Sequence, residues 1–307
     1  MADVLISADT LRSPEMRHEV PVVVPDPFLY VERNGERHVV ITPYEVERVE
    51  GLDGLKPHPL EAFGWDELVA QGMPMEQVQL ETFVRAVKEL GVRSAVVPSS
   101  FPIGLADRLR AEGVELTPDD EAFVQRRRVK TEPELEGIRR AQRGAEAGID
   151  AARELFRRAE AKGGALTVDG EPLTSERVKL AIQQALTDRD LQADEFIVSH
   201  GAQTAIGHEM GSGEIKAGEP IVIDLWPRDR KSSCYSDMTR TFVVGEPPEE
   251  LVEQHRLVHE ALQRSLEAVM PGIPGRDVFV LVSELFHEAG YPTGLHKPDG
   301  EVLEDGF

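Results

Sequence analysis

The sequence predicts an α+β protein in two parts, a small α/β domain over residues 1–125 and a second unit over residues 126–307. In the first part, short apolar runs typical of strands alternate with amphipathic segments typical of helices. In the second part, two helices precede a β-hairpin, and a second pair of helices follows it. A hydrophobic content of 40% with both signs of charge is typical of a globular chain.

The first part begins with a hairpin signal. Residues 28–33 and 36–41 flank Asn34-Gly35, a dipeptide that favours two-residue hairpin turns. Thr42, Pro43 and Glu45 then predict a helix start with a capping box. Further along, the pattern predicts helices over residues 76–90 and 105–112 and strands over residues 92–97 and 114–116.

The second part also begins with a helix signal. Thr131 and Glu134 form a predicted capping box for a helix that extends to about residue 161. Gly163-Gly164 interrupts this helix, and Thr174 or Ser175 is expected to cap a second helix that extends through residue 186. An extended segment over residues 195–199 precedes the hairpin.

The helix pair after the hairpin is predicted from one apolar stripe and its terminating residues. Pro271-Gly272 is expected to end the first helix, Asp277 can cap the next, and Gly290 is expected to close it. The stripe recurs at helical spacing and consists of Leu251, His255, Val258, Leu262, Leu266 and Val269.

Composition excludes several classes of partner. The net charge of −22 makes nucleic acids and anionic membranes poor partners, and the short basic run over residues 126–130 is interpreted as a solvated linker. Cys234 is the only cysteine, so no intrachain disulfide can form, which favours a reducing compartment. No secretion signal or membrane-spanning apolar stretch is evident, and we expect a cytoplasmic protein.

Asp224 and Asp237 are the residues most indicative of chemistry. The predicted hairpin has arms over residues 219–227 and 234–245 and a turn centred on residues 228–233. Two carboxylates facing each other among apolar residues would repel, unless they share a proton or bind a divalent cation. They could also be strand-edge residues on a wet face. This turn predicts three opposed pairs: Asp224 with Asp237, Val222 with Thr239, and Trp226 with Tyr235.

Three segments resemble a known family: Gly207-His208, the strand that ends in Ile223-Asp224, and the run from Tyr235 through Asp237 to Phe242. Together they resemble the Xaa-Pro aminopeptidase and prolidase family of pita-bread metallopeptidases. The resemblance implies a creatinase-like N-terminal domain over residues 1–125 and a pita-bread metallopeptidase domain over residues 126–307. We expect the latter to be incomplete and to lack its second hairpin, either because the chain is truncated at its C-terminus or because a partner supplies the missing strands.

The family resemblance also implies a site and a reaction. Family members hold two divalent metals through two Asp, one His and two Glu. By resemblance, Asp224 and Asp237 would be metal ligands, and His208 would be a catalytic residue that binds substrate and steadies the tetrahedral intermediate. Mn²⁺ is the expected metal, with Co²⁺ or Zn²⁺ as alternatives. The implied reaction is hydrolysis of an N-terminal Xaa-Pro peptide bond by a metal-bridging hydroxide. A homodimer acting on a peptide substrate is implied as well.

The chain departs from the family pattern in its last part. The other three ligands would follow a Gly-His-Gly-type segment, which this sequence lacks, and His296 in the polar loop 295–299 matches nothing in the motif. We therefore expect the chain as given to be inactive. The alternative is a non-catalytic peptide-binding pseudopeptidase on the same fold. Thr239, Arg240 and Thr241 could orient the carboxylates.

Overall fold

A computed structural model describes residues 2–297 of the chain. Within the described residues, the fold divides into two compact units, one of residues 2–141 and 228–236, the other of residues 142–227 and 237–297. The predicted α+β class is confirmed by the mixture of helices and sheets in both units. The domain ranges 1–125 and 126–307 stay a prediction. Residues 298 and 299 of the predicted polar loop lie outside the described residues.

The first unit contains a six-stranded sheet in the order β4-β3-β2-β1-β5-β6. Its strands are β1 Asp3–Ala8, β2 Phe28–Arg33, β3 Glu36–Ile41, β4 Leu55–Pro59, β5 Ser94–Val97 and β6 Glu115–Pro118. Its helices before the long central helix are α1 Pro14–Glu19, α2 Val46–Glu50, α3 Trp65–Ala70, α4 Met75–Glu89, α5 Ile103–Ala111 and α6 Asp120–Arg128.

The hairpin of β2 and β3 forms at the residues that the sequence predicts. Asn34 and Gly35 both have positive φ, 53° and 80°, as a tight hairpin turn requires. The capping box predicted at Thr42 is wrong. The Thr42 side chain makes no capping hydrogen bond, because the chain enters α2 through a 3₁₀ turn, Pro43–Glu45.

His38 and His58 form a pH-sensitive pair on neighbouring strands of this sheet. Their ring atoms Nδ1 and Nε2 lie 3.0 Å apart. Burial lowers the pKa of both rings below the ordinary 6.5, and for each ring a nearby positive charge lowers it further. In the window below pH 6.5 the unfolded chain therefore binds more protons than the folded one.

We expect the stability that this pair confers to be complete above about pH 6.5 and to be lost as the pH falls towards the lower folded-state pKa. Urea unfolding at about pH 7.5 and pH 5.5 should show a lower free energy of unfolding at the acidic pH. His58→Gln should reduce the difference between the two values. An equal difference in both proteins would contradict the assignment.

The second unit begins inside the long helix. Its strands and helices, together with the two-residue strand β13 of the first unit, are α7 Glu132–Arg158, β7 Glu160–Lys162, β8 Ala165–Val168, β9 Glu171–Pro172, α8 Ser175–Thr187, β10 Leu191–Gln192, β11 Ile197–His200, β12 Pro220–Leu225, β13 Arg228–Asp229, β14 Met238–Val243, α9 Glu249–Ala268 and α10 Gly275–Glu288.

Two predicted helix caps are confirmed. Thr131 and Glu134 form a reciprocal capping box, since the Glu134 carboxylate accepts from Thr131 N at 2.7 Å and Glu134 N donates to the Thr131 hydroxyl at 3.4 Å. Thr174 caps α8, because its hydroxyl accepts from Arg177 N.

Three glycines in α7 allow other segments to approach the helix. A methyl group at Gly137 would lie 2.0 Å from Ser232 Oγ, and one at Gly148 would lie 2.9 Å from the Leu225 side chain. Gly144 is approached by Leu191 in the same way. A glycine inside a helix costs about 1 kcal/mol relative to alanine, and here the close contacts offset that cost.

The apolar stripe of α9 lies mostly in solvent. Val258, Leu262, Leu266 and Val269 are between 53% and 64% exposed, whereas the buried hydrophobic residues of this helix are Leu257 and Ala261. Helical periodicity thus predicts the helix correctly. The face that is buried, however, is the one that carries Leu257 and Ala261 and not the predicted apolar stripe.

Candidate metal and peptidase site

A three-stranded antiparallel sheet in the order β11-β12-β14 carries the two aspartates. One face of this sheet packs into the core of the second unit through Val198, Ile221, Ile223 and Leu225. Because side chains alternate along a strand, Asp224 points away from that core.

The predicted pairing of Asp224 with Asp237 is wrong by two residues. Asp224 lies opposite Thr239, and Val222 lies opposite Thr241. The predicted pairing of Trp226 with Tyr235 is also wrong, since Tyr235 bridges to Arg228. A shift of two residues leaves every side chain on its predicted face, whereas a shift of one would reverse it.

Asp229 explains the shift in register. Its carboxylate accepts hydrogen bonds from Ser232 N at 2.8 Å and from Ser232 Oγ at 2.6 Å. Asp229 N donates to Cys234 O at 2.8 Å, so the loop closes over the four residues 230–233 instead of the predicted six. Ser233 adopts φ 56° to complete it. Such local hydrogen bonds from an aspartate side chain are a common way of fixing a turn.

Arg140 holds the Asp229 carboxylate in a two-point ion pair, with nitrogen–oxygen distances of 3.0 and 2.8 Å. Burial alone would raise the pKa of Asp229, but the hydrogen bonds from Arg140 and Ser232 outweigh it and lower that pKa below its ordinary value. The turn is therefore built around an ionised carboxylate.

Asp224 and Asp237 occupy neighbouring positions on the open side of the sheet. Asp237 stands one residue before β14, diagonal in register to Asp224. It is exposed, and the next residue, Met238, is buried in the core, as alternation requires. Diagonal positions across an antiparallel pair lie about 7–8 Å apart between Cα atoms. A cation that bridges two carboxylates can span such a separation.

The Thr239 hydroxyl donates a 2.6 Å hydrogen bond to Asp224 Oδ1. A hydrogen-bonded carboxylate has a fixed orientation and can still offer its second oxygen to a metal. Thr241 lies two residues further along the same strand and makes no such bond to Asp224 among the described residues. Arg240 donates to the Thr239 carbonyl oxygen at 2.7 Å. Of the three residues considered for this role, only Thr239 contacts a site carboxylate in the described part of the chain.

His208 lies in the loop that joins β11 to β12. It is exposed and adopts the left-handed conformation with φ 61°. The loop returns to β11 at Met210, whose carbonyl oxygen accepts from Val198 N at 3.1 Å. The strand that contains Val198 pairs directly with β12, with Ile197 opposite Asp224. The ring of His208 makes no hydrogen bond to any residue in the range 2–297.

Two further polar residues, which the sequence did not single out, lie at the other end of these strands. His200 Nδ1 lies 3.1 Å from Glu219 Oε2, and His200 Nε2 lies 3.1 Å from the carbonyl oxygen of Ser212. His200 ends β11 and Glu219 directly precedes β12, so the two residues flank the loop 201–218. This placement is the one sequence signal that could have indicated the contact between them.

The donor set suits a hard divalent cation, but it is small. Carboxylates without a basic partner on an open sheet face are ligands for oxygen-preferring metals. Within residues 2–297, no group of three or more His, Cys, Asp or Glu side chains is arranged to hold a metal ion. His296 lies elsewhere, 3.0 Å from Glu284 and stacked on His287. The two aspartates thus fit part of a metal site.

Comparison with known proteins shows the family. The model of metallopeptidase family M24 matches residues 136–303, more than half of the chain. The chain belongs to this family. The M24 match includes His208, Asp224 and Asp237, and it confirms the resemblance drawn from the sequence. Its members are metallopeptidases.

Two proteins named Xaa-Pro dipeptidase are among the relatives of this M24 chain. The protein from Pyrococcus horikoshii is 26% identical over 223 residues, which cover 71% of this chain and 59% of the relative. The protein from Pyrococcus furiosus is 28% identical over 173 residues, which cover 56% of this chain and 46% of the relative. The chain thus spans about half the length of the curated relatives it matches.

Solved structures share the pita-bread fold. The prolidase from Pyrococcus horikoshii OT3 superposes with a TM-score of 0.70 at 22% identity, over 95% of this chain and 74% of the other. The X-Pro aminopeptidase from Thermotoga maritima gives a TM-score of 0.72 at 17% identity, over 94% and 76% of the two chains. No helix in the described part of the chain is long and apolar enough to cross a membrane.

Proposed function

We propose that this protein hydrolyses the N-terminal Xaa-Pro bond of peptides with the help of two divalent metal ions, Mn²⁺ first among them. The observation that carries the proposal is the diagonal placement of Asp224 and Asp237 on the open face of β12 and β14, within the segment matched by the M24 family. The Xaa-Pro dipeptidases among the relatives support the choice of substrate.

Each residue has a separate role in this proposal. Asp224 and Asp237 hold the metals, and Thr239 fixes the orientation of Asp224 through its 2.6 Å hydrogen bond. When bound, such metals supply a water of lowered pKa and polarise the scissile carbonyl. His208, on its exposed loop, donates a hydrogen bond to the carbonyl oxygen of the substrate and steadies the negative charge that develops there.

Two aspartates alone bind at most one ion weakly, because a dinuclear centre needs more ligands than they provide. The proposal therefore includes further ligands, one His and two Glu, as in the family pattern. A homodimer in the cytoplasm is also part of the proposal. The single cysteine, buried and free, supports a reducing compartment.

The test uses the protein purified from its own organism, first treated with a chelator and then supplied with Mn²⁺, Co²⁺ or Zn²⁺. Hydrolysis of an Xaa-Pro dipeptide and of a longer Xaa-Pro peptide is compared with that of Xaa-Ala controls. We expect turnover of the Xaa-Pro substrates that depends on added metal. Absence of turnover with all three metals would overturn the proposal, and peptide binding in the presence of chelator would then identify a non-catalytic peptide-binding protein.

A further inference from the structure

A small pocket of the first unit collects positive charge in an otherwise acidic protein. It has a volume of about 180 Å³ and lies between α1, the end of α6, the start of α7 and the hairpin tip of residues 228–236. The chain carries a net charge of −22, so a concave surface with three cationic side chains is unusual for it. The lining residues are Pro14, Arg17, Arg127, Lys130, Glu134, Ile138, Cys234 and Tyr235.

The basic residues of the run 126–130 lie in different environments. Arg126 is fully engaged in ion pairs with Glu19 and Glu32. Arg127 and Lys130 line the pocket instead. The run is therefore not a solvated linker throughout, because two of its cations face one cavity.

Several donors in the pocket have no partner among the described residues. Arg127 pairs with Glu15 through Nη2 at 3.1 Å, but its Nε is buried and makes no hydrogen bond. Lys130 Nζ and the Tyr235 hydroxyl likewise have no hydrogen-bond partner within residues 2–297. A buried donor without a partner costs about 1–3 kcal/mol, so the described residues leave the hydrogen-bonding capacity of Arg127 unsaturated.

Arg17 contributes a fixed positive charge to the same cavity. Its guanidinium donates to the carbonyl oxygens of Thr10, Leu11 and Ser233 at 2.7 to 3.1 Å. No carboxylate pairs with it in the described residues, and burial lowers its pKa below the ordinary value. Carbonyl dipoles and the nearby Glu134 compensate the charge of Arg17 only in part, so an anion in the pocket would be attracted to it.

The one carboxylate in the lining is already occupied. Glu134 accepts hydrogen bonds from the backbone and hydroxyl of Thr131, and its oxygens lie 3.0 and 3.1 Å from His18 Nδ1. Three cations, set against Glu134 and the Glu15 carboxylate that pairs with Arg127, leave the pocket with an excess of one positive charge.

We propose that this pocket binds a small oxyanion, a phosphate or carboxylate group, through the Arg127 guanidinium, Lys130 and the Tyr235 hydroxyl. Arg and Lys side chains are the usual protein ligands of such groups. The volume of about 180 Å³ is smaller than the sites that hold drug-sized ligands, so the occupant is a small ion or the charged end of a larger molecule. The site is separate from the aspartates of β12 and β14 and does not depend on the peptidase proposal.

Cys234 provides a direct reporter of occupancy. It is the only cysteine in the sequence, it lines the pocket, and it is buried. The rate at which a thiol reagent modifies the 307-residue chain therefore reports on a single thiol, which lies in this pocket. Labelling is measured with increasing sodium phosphate or sodium acetate, against sodium chloride at the same ionic strength, and isothermal titration calorimetry gives the affinity independently.

We expect phosphate or acetate, but not chloride, to slow labelling of Cys234 in a saturable way. The more effective of the two identifies a phosphoryl or a carboxylate ligand. Lys130→Gln and Arg127→Gln should each weaken binding about tenfold, the value of one charge-assisted hydrogen bond. Lys162→Gln, a change at an exposed lysine of β7, is the matched control and should bind like the wild type.

Equal protection by all three salts would overturn the proposal, as would unchanged affinity in Lys130→Gln. Lys130 is exposed and has no described partner, so its variant should fold even if Arg127→Gln does not. Circular dichroism of each variant verifies the fold before labelling. Tyr235→Phe removes only the hydroxyl and should therefore also weaken binding of the oxyanion.

Discussion

Replacing Asp237 or Asp224 by asparagine, in the protein with its full set of proposed metal ligands, is expected to lower the proposed metal-dependent Xaa-Pro hydrolysis by about a thousandfold or more. Asparagine keeps the shape of the side chain but removes the charge that a divalent ion requires. The loss should exceed that for residues that only orient a ligand, whose removal costs about 10- to 100-fold. Steady-state kinetics with Mn²⁺, together with calorimetric titration of the metal, measures the effect.

The fold should survive these substitutions, because no cation pairs with either carboxylate among the described residues. Thr239→Val and Thr241→Val provide the graded comparison. Thr239→Val removes the 2.6 Å hydrogen bond to Asp224 and should weaken metal binding about 10- to 100-fold. Thr241→Val, on the same strand face, should leave it unchanged. Full activity in Asp237→Asn, or equal losses in both threonine variants, would exclude the assigned roles.

Gly211→Ala is expected to cause the largest loss of stability. An added methyl group would lie 1.8 Å from the carbonyl oxygen of Val198 and 2.4 Å from its carbonyl carbon. These are backbone atoms of β11, so no side-chain rotation can relieve the overlap. Gly211 also has φ 76°, where alanine costs about 1–2 kcal/mol. With about 1–3 kcal/mol for the displaced strand, the loss should be about 2–5 kcal/mol in urea unfolding.

Gly213→Ala separates the two causes. Gly213 has φ 87°, but an added methyl group would have nothing within 4 Å. Its variant should lose only the conformational part, about 1–2 kcal/mol. If the two variants lost the same free energy of unfolding, the close approach of residue 211 to β11 would contribute nothing.

The parts of the fold that the sequence predicts well are those decided by neighbouring residues. The Asn34-Gly35 turn and the caps at Thr131 and Thr174 depend on contacts within a few residues, and the structure contains all three. The predicted cap at Thr42 does not form, because residues 43–45 adopt a 3₁₀ turn in place of the first turn of an α-helix.

The parts predicted less well depend on contacts between distant residues. The hairpin register is set by Asp229, whose ion-pair partner Arg140 precedes it by 89 residues, and no local pattern contains that pairing. The buried side of α9 depends on what packs against it, which periodicity does not specify. The face that carries Asp224 and Asp237 was nevertheless predicted, since an error of two residues preserves alternation. The roles of both aspartates and of His208 stay predictions.

The hairpin tip has a consequence for exchanging parts between relatives. Residues 228–236 fold with the first unit, although residues 142–227 of the second unit precede them in the chain. Ser233 accepts from Arg17, and Asp229 pairs with Arg140, so a transplanted first unit that lacks this loop would leave Arg140 without this ion pair and Arg17 without one of its three carbonyl acceptors. A functional chimera must therefore exchange residues 1–141 and the loop 228–236 together. An insertion in this loop must remain compatible with α1 and α7 as well as with the strands that the loop joins.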